Sequence, residues 1–432
     1  MPKCVFATPV FILCLFSAAA LAEPLTLADG LKIVTQENRL VKIRQQEEKI
    51  SHEDAVIARS KLLPSFNASY GQSAFEHETA VRVGSQIIPS AEASFYTYQL
   101  AIQQILYDFG GVNALYQSAK LTEETKRLET KSTRNGVALS FATLYFDVLE
   151  SEKMIAVAER EMESLAAHAR VANELLESGL ITKNDLLEAE VRLADARQKL
   201  LNAQNMRKIN GARLDSILAW PLSTPVQVIE ETGPRPETPP HDEAVDIAQR
   251  ERPELQIADA ALKALRYEET ARKSEYFPKF LAQGERDYAK NKYAGYEANL
   301  GITLLMQLNL FSGGSTEAAV EKVQLAQMRL RVERKKLADD IGLELEKYYL
   351  DMLNANESVQ VAKDAIAQAE ESLRITRIKY AEGVGIARDV TDAITLRALS
   401  ETNYYRALYD SYRSEAGYLY AMGSELTEVY QQ

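Results

Sequence analysis

Residues 104–111, QILYDFGG, return as QLNLFSGG at residues 307–314. Each copy stands between a stretch of alternating apolar and polar residues and a long helix-like stretch. At an offset of 204 residues, ESGLITKNDLLEA (177–189) lies over AEGVGIARDVTDA (381–393), so that Gly179 meets Gly383, Asp185 meets Asp389 and Glu188 meets Asp392. The paired glycines Gly110-Gly111 and Gly313-Gly314 align at 203, one residue out of step with that match. Upstream, ARSKLLPSF (58–66) is similar to ARKSEYFPKF (271–280). Such self-similarity means two copies of one unit, here residues 23–219 and 243–432. Residues 220–242 between them carry six of the thirteen prolines and read as an extended linker.

Both copies have one order of elements. A helical stretch (about 26–62 and 243–276) ends at a proline, which cannot continue a helix interior. Two strand-like segments follow in each copy. Tyr296, Ala298, Leu300, Ile302, Leu304, Met306, Leu308 and Leu310 alternate with a mostly polar set that includes Thr303, and Tyr96, Tyr98, Leu100 and Ile102 do the same with a partner near SFNASYGQ. A one-sided apolar strand fits the inner face of a soluble sandwich or the lipid face of a barrel. A length near the ~9–11 residues of a membrane strand, with tyrosines towards one end, favours lipid.

After each glycine pair comes a seven-residue apolar repeat. Ile341, Leu345, Tyr348, Met352, Ala355, Val359, Ala362, Ile366, Ala369, Leu373, Thr376 and Tyr380 recur at spacings of four and three, as do residues from Val137 to Leu176 in the first copy. This predicts close-packed, coiled-coil-like helices, although a bundle seam has the same local pattern. A helix over about 314–382 would be roughly 100 Å long at ~1.5 Å per residue. The flanking helical stretches of the same copy match its length when stacked end to end, which predicts a long helical wall, turned at Gly179 and Gly383 and ending in strands. Two copies supply four strands whereas a closed membrane barrel needs about eight or more, so the chain must oligomerise; three chains would give twelve strands.

The first twenty-two residues read as a secretory signal: Lys3, an apolar run, and Ala20-Leu21-Ala22 before an expected mature start at Glu23. The alternative, an N-terminal anchor, suits that short run less well. Cys4 and Cys14 both lie here, and Phe-Ile-Leu before Cys14 does not match a lipidation site. No later run is apolar enough for a spanning helix. A net charge of −12 without a basic block gives no footprint for nucleic acid. His52, His77, His168 and His241 are scattered without metal-ligand spacing, and no nucleophile elbow or phosphate loop occurs. Neither enzyme chemistry, a metal nor a cofactor is expected.

With the duplication, LADGLKIVTQENRL near the start, the QxxxxxGG junctions and the doubled GLITKNDLLEA/GVGIARDVTDA turns, the chain resembles the outer-membrane efflux family typified by TolC over essentially its whole mature length. The resemblance implies a homotrimer in the cell outer membrane, with a twelve-stranded β-barrel continued by an α-helical tunnel in the periplasm. The tunnel would meet a periplasmic adaptor (membrane fusion) protein and an inner-membrane transporter. Such a duct passively serves an efflux pump or a type I secretion system. It also implies that Tyr380, Asp389 and Asp392, with Asp185 from the first copy, stand at the periplasmic entrance; Glu188 is placed with them, although TolC has a neutral residue there. Gly179, Leu180, Gly383, Val384 and Gly385 would form the tip turns where an adaptor docks. An arginine that latches the closed tip in TolC would fall at Gly385, so that latch is missing, while Arg388 stands nearby in a different heptad phase. Physically, clustered carboxylates at a narrow axis attract cations and repel one another, although the same residues are also favoured simply as solvated helix-start carboxylates. The competing class is a periplasmic coiled-coil scaffold or adaptor without a membrane barrel, which would be soluble after export.

Overall fold

The structure, a computed structural model, describes residues 24–222, 224–230, 235–293 and 295–430. The expected signal segment with both cysteines lies outside them. The chain begins with α1 (Leu27–Glu37) and α2 (Arg39–Ser60), where the sequence predicts one helix. Asn38 makes the break: its side chain accepts from the Leu40 N–H at 2.8 Å and donates to the Ile217 carbonyl at 2.7 Å. The strands β1 (Ser65–Ala74), β2 (Thr79–Val83), β3 (Gln86–Ala91) and β4 (Ser94–Tyr107) lead into α3 (Gly111–Glu177) and α4 (Lys183–Ile217).

The second copy repeats this plan without the β2–β3 hairpin. It runs through α5 (His241–Glu251), α6 (Pro253–Lys273), a 3-10 turn at Ser274–Tyr276, β5 (Lys279–Ala289), β6 (Ala298–Gln307), α7 (Ser315–Ala381), α8 (Ala387–Ala421) and a short α9 (Leu426–Val429). Here the expected single helix over 243–276 is again two. Pro253 has no N–H to give a preceding turn and opens α6 at its first position, with Arg252 extended before it.

Four strands form one antiparallel sheet in the order β1-β4-β5-β6, so the two copies meet at β4 and β5. The expected strand through Leu310 stops at Gln307, because its partner β5 begins only at Lys279, after Pro278. The β2–β3 hairpin is an addition that two strands per copy did not anticipate. Its short runs TAVRV and QIIPSA flank Gly84 at φ 66° and never reach the length of a membrane strand.

Both long helices have 67 residues and both that follow them have 35, each pair offset by 204. α7 packs against α6 and α8, and α3 against α2, α4, α6 and α8. The heptad stripe is buried where α7 presents Ala355, Ala362 and Ala369, and where α3 presents Ser151, Ala158, Leu165 and Ala172. Small residues at that period let helix axes approach closely.

The main core lies midway along the long helices. Phe141, Tyr145, Leu345, Tyr409 and Tyr418 meet Leu31 and Val34 of α1 there. The proline-rich linker is part of it: Val228 is buried, Leu25 pairs with Val228 as an isolated parallel bridge, and the Tyr145 hydroxyl donates to the Ile229 carbonyl at 2.6 Å. The linker segment around Val228 is therefore pinned across the helices.

Candidate functional site

The end of the molecule away from the sheet is made by two helical turns of one design. α3 ends with Gly179 at φ 74°, whose N–H donates to Leu176, while the Leu180 N–H donates to Leu175, both at 2.9 Å. α7 ends with Gly383 at φ 75°, donating to Tyr380 at 3.1 Å, and Val384 donates to Lys379 at 3.0 Å. The left-handed backbone that this reversal needs is one that side chains resist by ~1–2 kcal/mol, which is why glycine stands at both positions. The residues just after them face solvent: Leu180 is 71% and Val384 76% exposed, with Ile386 also exposed. Gly385 is not an open position. A Cβ there would lie 3.0 Å from the Tyr380 backbone nitrogen and 3.2 Å from Lys379, so an arginine could not be added without moving the turn.

The two helices that leave these turns start differently. In α4 the Thr182 side chain and Asp185 form a capping box, with the Asp185 carboxylate accepting from the Thr182 N–H at 2.9 Å and hydroxyl at 2.8 Å. The Thr182 hydroxyl, and then its backbone N–H, hold the Asp185 carboxyl below the usual carboxylate range. Asp185 therefore keeps its negative charge while it caps α4. In α8 the corresponding cap is Ile386, which has no side-chain oxygen, and the Asp389 carboxylate stays exposed without a hydrogen bond or ion pair among the described residues. Asp392 is 58% exposed and lies 3.8 Å from both Arg192 of α4 and Arg388 one turn before it. Arg388 thus lies within ion-pair distance of the Asp392 carboxylate in its own helix. Glu188 sits one turn into α4, partly exposed.

Tyr380 also differs from expectation. It is 7% exposed and belongs to a second core with Leu165, Ala196, Leu373, Val390 and Ile394, which ties α3, α4, α7 and α8 together just inside the turns. A phenol ring gains more from that apolar contact than from facing water, so Tyr380 packs the tip from within. Burial, and then the Asp185 charge, push its phenol pKa up. Its ring lies 5.2 Å from that of His168, a residue the sequence had marked only as scattered. His168 Nε2 and Tyr380 Oη are both buried without a hydrogen-bond partner among the described residues.

Burial lowers the His168 pKa below the usual imidazole range, against a backbone hydrogen bond with Ala387 that raises it, and Arg377 adds to the lowering. An unfolded imidazole titrates near ~6.5, so on acidification the opened state takes up the proton first. The contribution of neutral His168 is therefore whole above about pH 6.5 and is lost as pH falls from there towards the folded value. Hydrogen exchange in residues 162–172 and 376–394 should accelerate several-fold between about pH 7 and pH 5, beyond the intrinsic pH effect. His168→Phe should flatten that response, and an equal response in both proteins would remove His168 as its cause.

At the other end of the long helices, the strand-to-helix junctions reveal a frame that the glycine pairs conceal. The backbone turns through two consecutive left-handed residues before each helix: Gly313 (φ 62°) and Gly314 (φ 83°) in the second copy, but Phe109 (φ 56°) and Gly110 (φ 85°) in the first. The offset is 204, as everywhere else, so the glycine match at 203 is a coincidence of letters. Gly111 has another duty: a Cβ there would lie 2.2 Å from the Ser274 hydroxyl, so its bareness lets α3 lie against the end of α6. Phe109 is held in its unfavourable conformation by stacking on Phe277 at 4.7 Å and by Tyr107 at 4.8 Å. Asp108 caps the helix by accepting from the Val112 N–H at 2.6 Å.

The register divides the sheet into two faces. Phe66, Ala68 and Tyr70 of β1 share one with Tyr98, Leu100 and Ile102 of β4, Ala282, Gly284 and Tyr288 of β5, and Leu300, Ile302, Leu304 and Met306 of β6. The other face carries Asn67, Ser69, Thr97, Gln99, Gln283, Glu285, Asp287, Asn299 and Thr303. Tyr70, Tyr98, Tyr96 and Tyr288 touch one another, at centroid distances of 5.2–6.1 Å, at the end of the apolar face away from the helices. Apolar middle, aromatic rim and polar reverse are the arrangement of a barrel wall in lipid. Among the described residues no helix is long and apolar enough to cross a membrane, and no group of three or more potential metal ligands occurs.

The comparisons agree with this geometry. The chain is 23% identical over 394 residues to the outer membrane efflux protein BepC of Brucella suis, covering 89% of this chain and 80% of that one. The fold is similar to the outer membrane protein VceC of Vibrio cholerae, with TM-score 0.81, 15% identity and coverage of 92% of this chain and 96% of that one. It is likewise similar to the Campylobacter jejuni CmeC outer membrane channel, with TM-score 0.80, 15% identity and coverage of 92% and 85%. Residues 31–219 and 244–424 match the outer membrane efflux protein family, one segment for each copy of the repeat, and the chain belongs to that family.

Proposed function

We propose that this chain works as the outer-membrane exit duct of a tripartite efflux pump, three copies closing into one channel that conducts cargo passively. The observation that carries the reading is the sheet. Four strands with one apolar and one polar face leave β1 and β6 as open edges, and an open edge is untenable in hydrocarbon, where every backbone group needs a partner. Joining β6 of one copy to β1 of the next closes twelve strands. The polar face then lines a lumen, the apolar face meets outer-membrane lipid, and the helices continue the duct into the periplasm. The efflux relatives support that location.

At the far end, Leu180, Gly383 and Val384 offer small, apolar, solvent-facing turns for a periplasmic adaptor, with Gly385 closing the second turn behind them, and the adaptor would connect the duct to an inner-membrane transporter. Asp389, with Asp392 and Glu188 beside it, would set the charge at the entrance. The competing scaffold or adaptor reading gives no reason for a lipid-type face with a tyrosine rim. Light scattering of the detergent-extracted protein should give three chains per particle, and planar bilayers should show discrete channels. A monomer or dimer with intact β signal, or full solubility without detergent, would overturn the duct.

A further inference from the structure

Within the paired register, the apolar face carries one charged side chain. Arg286 of β5 lies between Leu100 of β4 and Leu300 of β6, with Gly284 and Tyr288 before and after it on the same face. It is exposed, and no hydrogen bond or ion pair to it is found among the described residues. Its acidic chain neighbours, Glu285 and Asp287, point to the opposite face and cannot neutralise it. Four residues on, beyond the end of β5, the Lys290 ammonium lies 5.6 Å from the centre of the Tyr96 ring. Two cations therefore bracket the tyrosine row on its outward side. The nearby carboxylate of Glu297 accepts from the Tyr288 hydroxyl at 3.0 Å and offsets at most one of them.

Arg286 sits one face position inside the tyrosine rim, about 5 Å nearer the membrane middle at ~3.3 Å per residue and a strand tilt near 40°. An arginine at that depth extends its head towards the polar layer, its stem lying along apolar neighbours. What the head meets there is the headgroup region of the outer leaflet. A planar guanidinium binds the oxygens of a phosphate in pairs, which makes phosphate the group that matches it, while the tyrosine faces suit the adjoining sugar or glycerol and upper acyl carbons. We propose that Arg286 and Lys290, with Tyr96, Tyr98 and Tyr288 between them, form a site on each protomer for the phosphate-bearing headgroup of an outer-leaflet lipid. The site rests on the reading that the apolar face meets lipid.

The test uses the detergent-purified trimer of the wild type, Arg286→Gln, Arg286→Lys and, as a change on the opposite face, Thr303→Ser. Each is mixed with diphosphorylated lipid A or its dephosphorylated form and examined by native mass spectrometry. The wild type and Thr303→Ser should retain one phosphorylated lipid per protomer. Arg286→Gln should lower retention about ten-fold, with Arg286→Lys between. The dephosphorylated lipid should be lost, and millimolar inorganic phosphate should not displace the bound one. Equal retention by Arg286→Gln, or of the dephosphorylated lipid, would overturn the site, and displacement by inorganic phosphate would overturn its assignment to a lipid. The same spectra report the oligomer. If no trimer forms in any variant the duct reading itself fails, whereas a trimer with unchanged lipid binding removes only the lipid site.

Discussion

Arginine at Ile302 or Leu304 should abolish assembly in the outer membrane, whereas arginine at Thr303 between them should leave most of it intact. Ile302 is opposite Gly284, and Leu304 is opposite Ala282, so both extend from the apolar face with small neighbours that offer no partner for a charge. Thr303 is opposite Gln283 on the polar face. A charge on the lipid side costs ~2–4 kcal/mol at the membrane middle, and three copies bring this to roughly 6–12 kcal/mol per trimer. That is comparable to the whole stability of a typical fold, ~5–15 kcal/mol, and leaves little to hold a closed barrel. Leu300→Arg should be milder than Leu304→Arg, because it stands level with Arg286 near the tyrosine rim, where the chain already carries a cation. Trimer yield in outer-membrane fractions, read on native gels, measures all four variants. Equal loss for Thr303→Arg and Leu304→Arg would mean that the two faces have been assigned wrongly.

Replacing Asp389 and Asp392 together with alanine should shift the channel from cation towards anion preference. It should also weaken block by a trivalent cation added from the periplasmic side by about ten-fold. The double variant acts directly on one group of four charges in each chain: Asp389, Asp392, Arg388 and Arg192. Asp392 already has both arginines at 3.8 Å, whereas Asp389 has no such partner among the described residues. Among these four the double variant removes both negative charges and leaves the two cations, so the charge of each chain at the tip rises by two, repeated three times around a trimer axis. Since exposed pairs at such distances hold by only ~0–1 kcal/mol, those arginines would be free to turn to the pore. Asp389→Ala alone should account for most of the lost block, and Asp392→Ala for most of the new anion preference. Single-channel reversal potentials in a salt gradient, with blocker titration, separate the two. An unchanged reversal potential in the double variant would show that these carboxylates do not face the pore.

Much of this architecture is legible in the residues because it rests on local periodicity. The alternation from Ala298 to Met306, the seven-residue stripe through Ala355, Ala362 and Ala369, and the glycines at 179 and 383 each follow from the geometry of one element. The duplication then states each of them twice. The break at Asn38 was not legible, since a cap inside an apolar period leaves the period intact, whereas the break at Arg252 is written in the sequence by Pro253.

What the tertiary structure decided are the relations between elements. Phe109, not a glycine, fills the first left-handed position of its junction because Phe277, 168 residues away in the chain, is there to stack on it. Gly111 keeps its letter for the sake of Ser274. Arg286 has an apolar surrounding because β5 pairs with β4 of the other copy, and Asp392 has two arginines because α4 and α8 end at one tip. Tyr380 is an entrance residue by the family resemblance, and in the fold it is buried by side chains from three other helices. Backbone geometry repeats every two or 3.6 residues and writes itself into a short stretch of sequence. Contacts between distant residues depend on how whole elements pack, and no local pattern records them.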